Sequence, residues 1–297
     1  MDNLVGNPPI ATGEAPPGCW LCASSRVERE TLGENFSRVT CRACNVIYVW
    51  PFLTEDQARE VYGKELQWHT LVNRPQGSTG GREGVYRQIS TRVRRLGSGR
   101  RVLDVGCGGG RFLEYMRGLG WDVAGVDFNS AMVEACRSKG ILAITGTLAS
   151  VPDDVRFDCI SFLNSFGYMV DPLRTLAQAK LHLNAGGLVV IEDGNTGFHL
   201  PLARALRPLG QQGRAMTVAA IVPRRLFAYS PRSYDILFQR AGLKTRAIIP
   251  ALPRTEGVRT EILFGKAMSF VGRGLYRASA ERVLVTPALL AWAGLPA

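Results

Sequence analysis

Histidine is scarce in this chain of 297 residues: only His69, His182 and His199 occur. A side chain that changes charge near neutrality therefore has few positions to occupy. Lysine is scarce as well, five among 36 basic residues, so the net charge of +11 rests on arginine. No run of 18 apolar residues is present, which excludes an evident membrane-spanning helix. Residues 1–18, MDNLVGNPPIATGEAPPG, have neither a basic segment nor an apolar core. They do not read as a signal peptide, and their polar, proline-rich composition predicts a disordered leader. There is no internal repeat of useful length.

What remains suffices for a full core. Apolar residues make up 46% of the chain, and the length suits one α/β domain with an appendage. A basic chain favours acidic partners such as nucleic acid, anionic lipid or a phosphorylated substrate. The charge is dispersed, however. Its densest cluster, Arg92, Arg94, Arg95, Arg100 and Arg101, reads as a solvated helix face, so nucleic acid is the less favoured partner.

Seven cysteines occur, and four of them form a pattern: Cys19-x2-Cys22, a gap of 18 residues, then Cys41-x2-Cys44. Each pair offers two thiolates from one tight turn, and two such turns complete a tetrahedral site. The spacing predicts a zinc ribbon. Four thiolates leave no open position, so a zinc ion here would be structural. Disulfides are the alternative, but a nucleotide-cofactor fold without a secretion signal suits a reducing, cytoplasmic compartment. Cys107, Cys136 and Cys159 read as buried packing residues.

The richest stretch is Arg101 to Leu113, RVLDVGCGGGRFL, followed by GVDFN at Gly125 to Asn129. Val102, Leu103 and Val105 predict a buried strand. Gly106, Gly108, Gly109 and Gly110 then turn into an amphipathic helix with Phe112, Leu113 and Met116. Glycines at that turn let backbone N–H groups approach a ligand at the helix N-terminus. The next strand ends in Asp127, the usual place for a carboxylate that holds a ribose diol. Asp104 decides between cofactors. A carboxylate just before the glycines repels a pyrophosphate but favours an ammonium and a sulfonium. The pattern therefore points to S-adenosyl-L-methionine rather than a dinucleotide.

On these residues the chain resembles the class I S-adenosylmethionine-dependent methyltransferases, from about Arg100 to Lys266. The resemblance implies a doubly wound, seven-stranded Rossmann-like sheet in an α/β fold. It implies that Asp104, Gly106, Gly108 and Gly110 contact the methionine part of the cofactor. Asp127 would bind the ribose hydroxyls, and Phe128 would lie against the adenine. Thr147-Leu148 stands where the family's adenine-side loop usually carries an acid. Arg156 to Asn164 looks like the fourth strand, with Asn164 at its site-facing end, and Leu183 to Glu192 resembles the turn into the fifth. The stretch NVIYVWPFLTEDQAREVYG after Cys44 is similar to the join in a bacterial subgroup that pairs a zinc ribbon with a methyltransferase. That subgroup modifies sugars, polysaccharides and secondary metabolites by C- and O-methylation. Its Glu-His pair after the fourth strand, which supplies a base, is replaced here by Gly167 and Tyr168. A later histidine is replaced by Arg225.

The expected organisation is a leader at 1–18, a ribbon at 19–53 and a helical linker or lid at 54–99. The methyltransferase domain follows at 100–267, and a basic, apolar segment at 268–297. Within the ribbon, Phe36 to Thr40 and Val46 to Trp50 predict strands. Thr54 to Tyr62 opens with a capping box, residues 73–81 read as a hinge, and Glu83 to Leu96 as an amphipathic helix. Strands near 101–105, 121–126, 141–144, 157–163 and 187–193 alternate with helices near 110–119, 129–138 and 172–183, which implies a parallel sheet. A helix over Ser230 to Ala241 and strands near 243–249 and 260–267 complete it.

Catalytic candidates are few. Tyr168 lies just past the fourth strand, as a base or a pocket wall. Glu192 and Asp193 end the fifth strand. His199 is placed in the following loop and titrates near neutrality. His69 precedes the hinge, and His182 reads as a surface residue. Arg224 and Arg225 are candidates for holding a phosphate or carboxylate. Three readings follow: methylation of a small-molecule or glycan acceptor, with phosphorylated and lipid-linked acceptors included; RNA methylation; and a silent cofactor-binding scaffold. Asn164-Ser165-Phe166-Gly167 is not an amino-methylating motif, which disfavours base methylation. The segment 268–297 mixes apolar residues with Arg273, Arg277 and Arg282. It suits either a packed helix or peripheral contact with a membrane.

Overall fold

The computed structural model describes residues 18–32, 36–58, 81–95, 99–206, 208, 225–253 and 259–296; the side chains at 259–262 and 264 are not among them. Residues 1–17 of the leader, His69, Arg224 and nearly all of the 73–81 hinge lie outside the described residues.

The ribbon contains β1 (Val27–Leu32), β2 (Phe36–Cys41) and β3 (Ile47–Trp50), joined as an antiparallel meander. β2 and β3 match expectation. β1, VERETL, is a largely exposed edge strand whose polar residues give no apolar alternation to read. The capping box is present: the Gln57 N–H donates to Thr54 Oγ1 and the Thr54 N–H to Gln57 Oε1, at 3.2 and 2.9 Å. Helix α1 (Glu83–Val93) follows, burying Val85, Tyr86, Ile89 and Val93.

The main sheet begins with β4 (Arg101–Val105), α2 (Arg111–Gly118), β5 (Asp122–Asp127), α3 (Ser130–Arg137) and β6 (Leu142–Thr145). It continues with β7 (Phe157–Leu163), α4 (Pro172–Leu181), β8 (Leu183–Gly194) and α5 (Thr196–Ala205). Then come β9 (Phe227–Ala228), α6 (Pro231–Arg240), β10 (Lys244–Pro250), α7 (Arg259–Ala278) and β11 (Ala288–Gly294). The seven strands run in the order β10-β11-β8-β7-β4-β5-β6. β8, β7, β4, β5 and β6 are parallel, while β11 is antiparallel to both neighbours. This is the doubly wound, seven-stranded Rossmann-like sheet that the resemblance implied.

Successive residues of the central strands serve opposite faces. Val189, Ile191 and Ala291 join a core with α4, α6 and the ribbon. Val190, Leu290 and Trp292 join one with α1, α2 and α3. The ribbon is thus part of the core on one face of the sheet. It is also continuous with the rest through β9, which pairs with β3.

One expected strand is corrected. Residues 260–267 belong to helix α7, and the seventh strand is Ala288–Gly294, within the segment set apart as an appendage. The sheet therefore extends past residue 267, through Gly294. A short apolar run such as EILFG fits either state, and only a longer window shows the helical period. ALLAWAG is buried on both faces and shows no alternation.

Candidate functional site

The site is built on the carboxyl ends of β4, β5, β7 and β8. After β4 the chain turns through Gly106, whose N–H donates to the Val126 carbonyl at 2.8 Å. Gly106 has φ +74°, and a Cβ there would stand 2.5 Å from Ser165 Cβ. Gly110, at φ +79°, would collide with Cys136 Sγ. Packing therefore demands glycine at both. Gly108 and Gly109 differ: a Cβ on either would meet nothing within 4 Å. They face open space, and this is where a ligand can come close to the backbone.

Asp127 ends β5 and is 8% exposed. Its Oδ2 accepts the Gly108 N–H at 2.8 Å and its Oδ1 the Asn129 N–H at 2.9 Å, tying the second strand to the glycine turn. Each oxygen keeps a lone pair for a ribose hydroxyl. Phe128 beside it is 39% exposed, an aromatic face open to stacking. Thr147 caps a short 3-10 turn, whereas Leu148 turns its side chain into the core and leaves only main chain on that side.

Asp104 is 3% exposed and accepts from Ser161 Oγ at 2.7 Å. Burial pushes its carboxyl up to about 7, against the lowering effects of Ser161 and Arg82. Arg82 was not singled out by its sequence. It precedes α1 and forms a buried ion pair with Glu192, far away in the chain, so no local pattern marks it. Asp104, Glu192 and Arg82 together carry one net negative charge when ionised. S-adenosylmethionine carries ammonium, sulfonium and carboxylate groups, one net positive charge. The donor set fits that cofactor, which needs a compensating carboxylate in so buried a place.

The second half of the site lies beyond β7 and β8. Asn164, at φ +65°, donates its N–H to the Glu192 carbonyl at 2.9 Å. Arg225 donates to Asn164 Oδ1 and forms an ion pair with Asp193, which is 1% exposed. The same guanidinium lies 5.7 Å from the centre of the Tyr168 ring. Gly167 makes this possible, because a Cβ there would lie 3.1 Å from Arg225 Cδ and 2.6 Å from the Phe227 carbonyl. Gly167, where the resemblance would put the acid of the pair, thus leaves room for Arg225, where it would put the later histidine.

Three expected roles change. Arg225 is already matched by Asp193, so it offers no unbalanced charge to an anion. Glu192 is held by Arg82 on the Asp104 side of the site. His199 is in α5 rather than a loop, and burial pulls its pKa down to about 4, opposed by its bond to the Pro287 carbonyl. It is neutral near pH 7 and a weak base. His182, expected at the surface, is 4% exposed, with Nδ1 2.9 Å from the Val155 carbonyl. Cys107, Cys136 and Cys159 are buried, as expected.

The four cysteine sulfurs of the ribbon lie within 4.8 Å of one another. Cys19 and Cys44 are 3.8 Å apart, and Cys22 and Cys41 3.6 Å. Tetrahedral zinc with bonds of about 2.3 Å holds its sulfurs about 3.8 Å apart. The cluster therefore fits Zn2+ as it stands. Of the arginine cluster, Arg92 lies over Trp292 at 5.3 Å, while Arg101 pairs with Asp122 and lies over Phe157. Those two serve the protein's own packing.

A family described as "Methyltransferase domain" matches residues 81–248, more than half of the chain. The chain belongs to that family. It is an S-adenosylmethionine-dependent methyltransferase. Curated relatives include a ubiquinone biosynthesis O-methyltransferase of Alkalilimnicola ehrlichii, 30% identical over 33% of this methyltransferase and 42% of the relative. The enzyme of the same name from Xanthomonas euvesicatoria pv. vesicatoria is 27% identical over 52% and 66%. The matches span less than two thirds of these relatives' own lengths. Among solved structures, the plantazolicin methyltransferase BpumL, in complex with a monoazolic desmethylPZN analog and SAH, superposes with a TM-score of 0.53 and 17% identity. That superposition covers 80% of this methyltransferase and 92% of BpumL, and it speaks for the fold. Among the described residues no helix is long and apolar enough to cross a membrane.

Proposed function

We propose that this methyltransferase acts on a small-molecule or glycan acceptor by O- or C-methylation, with a zinc ion serving the ribbon structurally. The observation that carries this reading is the wall formed by Arg225, Asp193, Asn164 and Tyr168 beside the cofactor edge. Its charges are matched internally. It therefore offers hydrogen-bond donors and acceptors with little net field, which suits a neutral, hydroxyl-bearing acceptor better than a polyanion. The arginines engaged with Trp292, Phe157 and Asp122 also weigh against an RNA track.

Bound S-adenosylmethionine supplies a methyl group on a sulfonium, open to in-line attack. Asp127 would hold the ribose through its two oxygens, and Phe128 would cover the adenine. Asp104 would face the ammonium of the methionine part, with the Arg82–Glu192 ion pair beside it. Asn164 sits between the halves, its main chain on Glu192 and its side chain under Arg225. The wall would fix an acceptor hydroxyl about 3 Å from the methyl, and this positioning supplies much of the acceleration. Tyr168, whose ring belongs to this wall, is the candidate for relaying the acceptor's proton, giving up its own phenol proton onward as it receives that of the acceptor. His199 is too weak a base to do so.

Labelled methyl transfer to a panel of glycosides, phenols and RNA tests the reading. Transfer to a glycoside or phenol, with acceptor KM raised by Arg225→Ala and cofactor affinity kept, is the expected result. Transfer to RNA, or to nothing in the panel despite cofactor binding, would overturn it.

A further inference from the structure

We infer that helix α7 docks this protein on an anionic lipid surface. Leu263, Phe270, Val271 and Leu275 are 60%, 83%, 52% and 48% exposed. At 100° per residue they fall within an arc of about 140° on the helix. The helix has another face, and that one is packed. Ser269 and Tyr276 are buried, and a Cβ on Gly272 would lie 2.2 Å from the Val285 carbonyl. Tyr276 Oη donates to the Ile248 carbonyl of β10 at 3.4 Å. The helix is therefore anchored by one side, and its apolar stripe points away from the anchor.

Charge identifies what covers the stripe. Along Arg259–Ala278 there are four cations, Arg259, Lys266, Arg273 and Arg277, against one acid, Glu261. Lys266, Arg273 and Arg277 lie together on one flank of the stripe. Arg282 follows, beside the exposed Val283. None of Lys266, Arg273, Arg277 and Arg282 has an acidic partner among the described residues. An apolar stripe flanked by unpaired cations complements a bilayer with anionic headgroups. A second copy of the chain would bring like charges together along the same seam.

Topology gives the docking a purpose. β10 runs parallel to β8, and Pro250 at its end stands opposite Leu289 near the start of β11. The excursion carrying α7 leaves and rejoins the sheet at the edge that bears Asp104 and Asp127. A lipid-borne acceptor would reach the site from that surface. This last step rests on the acceptor reading above, whereas the docking does not.

Co-sedimentation with vesicles tests the inference. Full-length protein is mixed with phosphatidylcholine vesicles, alone or with phosphatidylglycerol, at low and high salt. Preference for the anionic vesicles, weakened by salt, is expected. The double variant Phe270→Ser with Leu275→Ser should partition at least tenfold less, with unchanged melting and cofactor affinity. Arg273→Gln with Arg277→Gln should lose the anionic preference. Equal binding by wild type and variants overturns the inference. So does a wild-type dimer that the apolar variant dissociates, which would make a second copy the occupant. Early melting of the apolar variant overturns it too, since the stripe would then be covered by the chain itself. Vesicle binding without methyl transfer leaves docking standing and removes only the acceptor reading.

Discussion

Ser230 Oγ donates to the carbonyl oxygen of Cys44 at 2.7 Å and itself accepts, at 3.1 Å, the Ser233 N–H that opens helix α6. One hydroxyl thus joins the second cysteine turn of the ribbon to a helix cap of the methyltransferase core. Thr196 Oγ1 does likewise with the Asn45 carbonyl, at 2.6 Å. Between these contacts β9 pairs with β3, and Arg225 stands two residues before β9. The wall beside the cofactor edge hangs from the ribbon.

Ser230→Ala should therefore cost about 1–2 kcal/mol, from a lost cap and a lost buried hydrogen bond. That corresponds to a melting point lower by several degrees. With the proposed zinc in the ribbon, a chelator, or Cys19→Ser, should act in the same direction and raise acceptor KM before it weakens the cofactor. Calorimetry with metal analysis checks both. Identical melting with and without a chelator would remove the metal from the account.

Asp104 gives a pH dependence whose sign can be worked out. Its carboxyl titrates near 7 in the folded protein without ligand, above the ordinary value of 3.8. The folded state thus binds the extra proton in between, and this group's contribution to stability falls as pH rises from about 4 to about 7. The cofactor's cations favour the ionised carboxylate. Affinity for S-adenosylmethionine should rise with pH up to about 7 and level off above it, by at most about tenfold per unit. Asp104→Asn should bind weakly and without that slope. Titration calorimetry from pH 5.5 to 8 reads both, and a flat wild-type profile would contradict the assignment.

Removing Arg225 alone leaves Asp193 buried without its counter-ion. Arg225→Ala should cost roughly 3–5 kcal/mol of stability. Adding Asp193→Asn should recover a substantial part, because the charge that suffers is then gone. A double-mutant cycle by chemical denaturation measures the coupling. Additive losses would show that the pair is not a unit.

Trp292 sits in β11 with 0% exposure and the Arg92 guanidinium over its ring. Trp292→Ala should cost about 3–5 kcal/mol, as for other large core truncations. Ending the chain before Ala288 should abolish cooperative unfolding, since β8 and β10 would both lose their shared neighbour. A truncated protein that still melts sharply would refute the role given to this strand.

The strand-turn geometry of the candidate cofactor edge was legible because it is local. Asp104, the glycines and Asp127 lie within two adjacent strand-turn units, and each answers to a chemical need visible in a short window. The cysteine turns were legible for the same reason. Arg82 was not, since its partner Glu192 joins it only through the sheet. His199 looked like a loop base because the preceding Asp193-Gly194-Asn195-Thr196-Gly197 reads as a polar turn, yet that turn opens α5, which half-buries the ring against the Pro287 carbonyl. β1 and β11 escaped for opposite reasons. One is too polar to alternate and the other too apolar.

The placement of β11 has a consequence during synthesis. Ala288 pairs with Gly194 and Leu289 with Pro250, so both flanks of this strand belong to segments made much earlier. As the chain leaves the ribosome, the outer margin of β8 waits with its main-chain groups unpaired and apolar residues such as Val190 and Ile191 uncovered. Such a margin is adhesive toward other nascent chains. Cells making this protein should show it held by a chaperone until residues 288–294 emerge, and its yield should fall when that holding capacity is short.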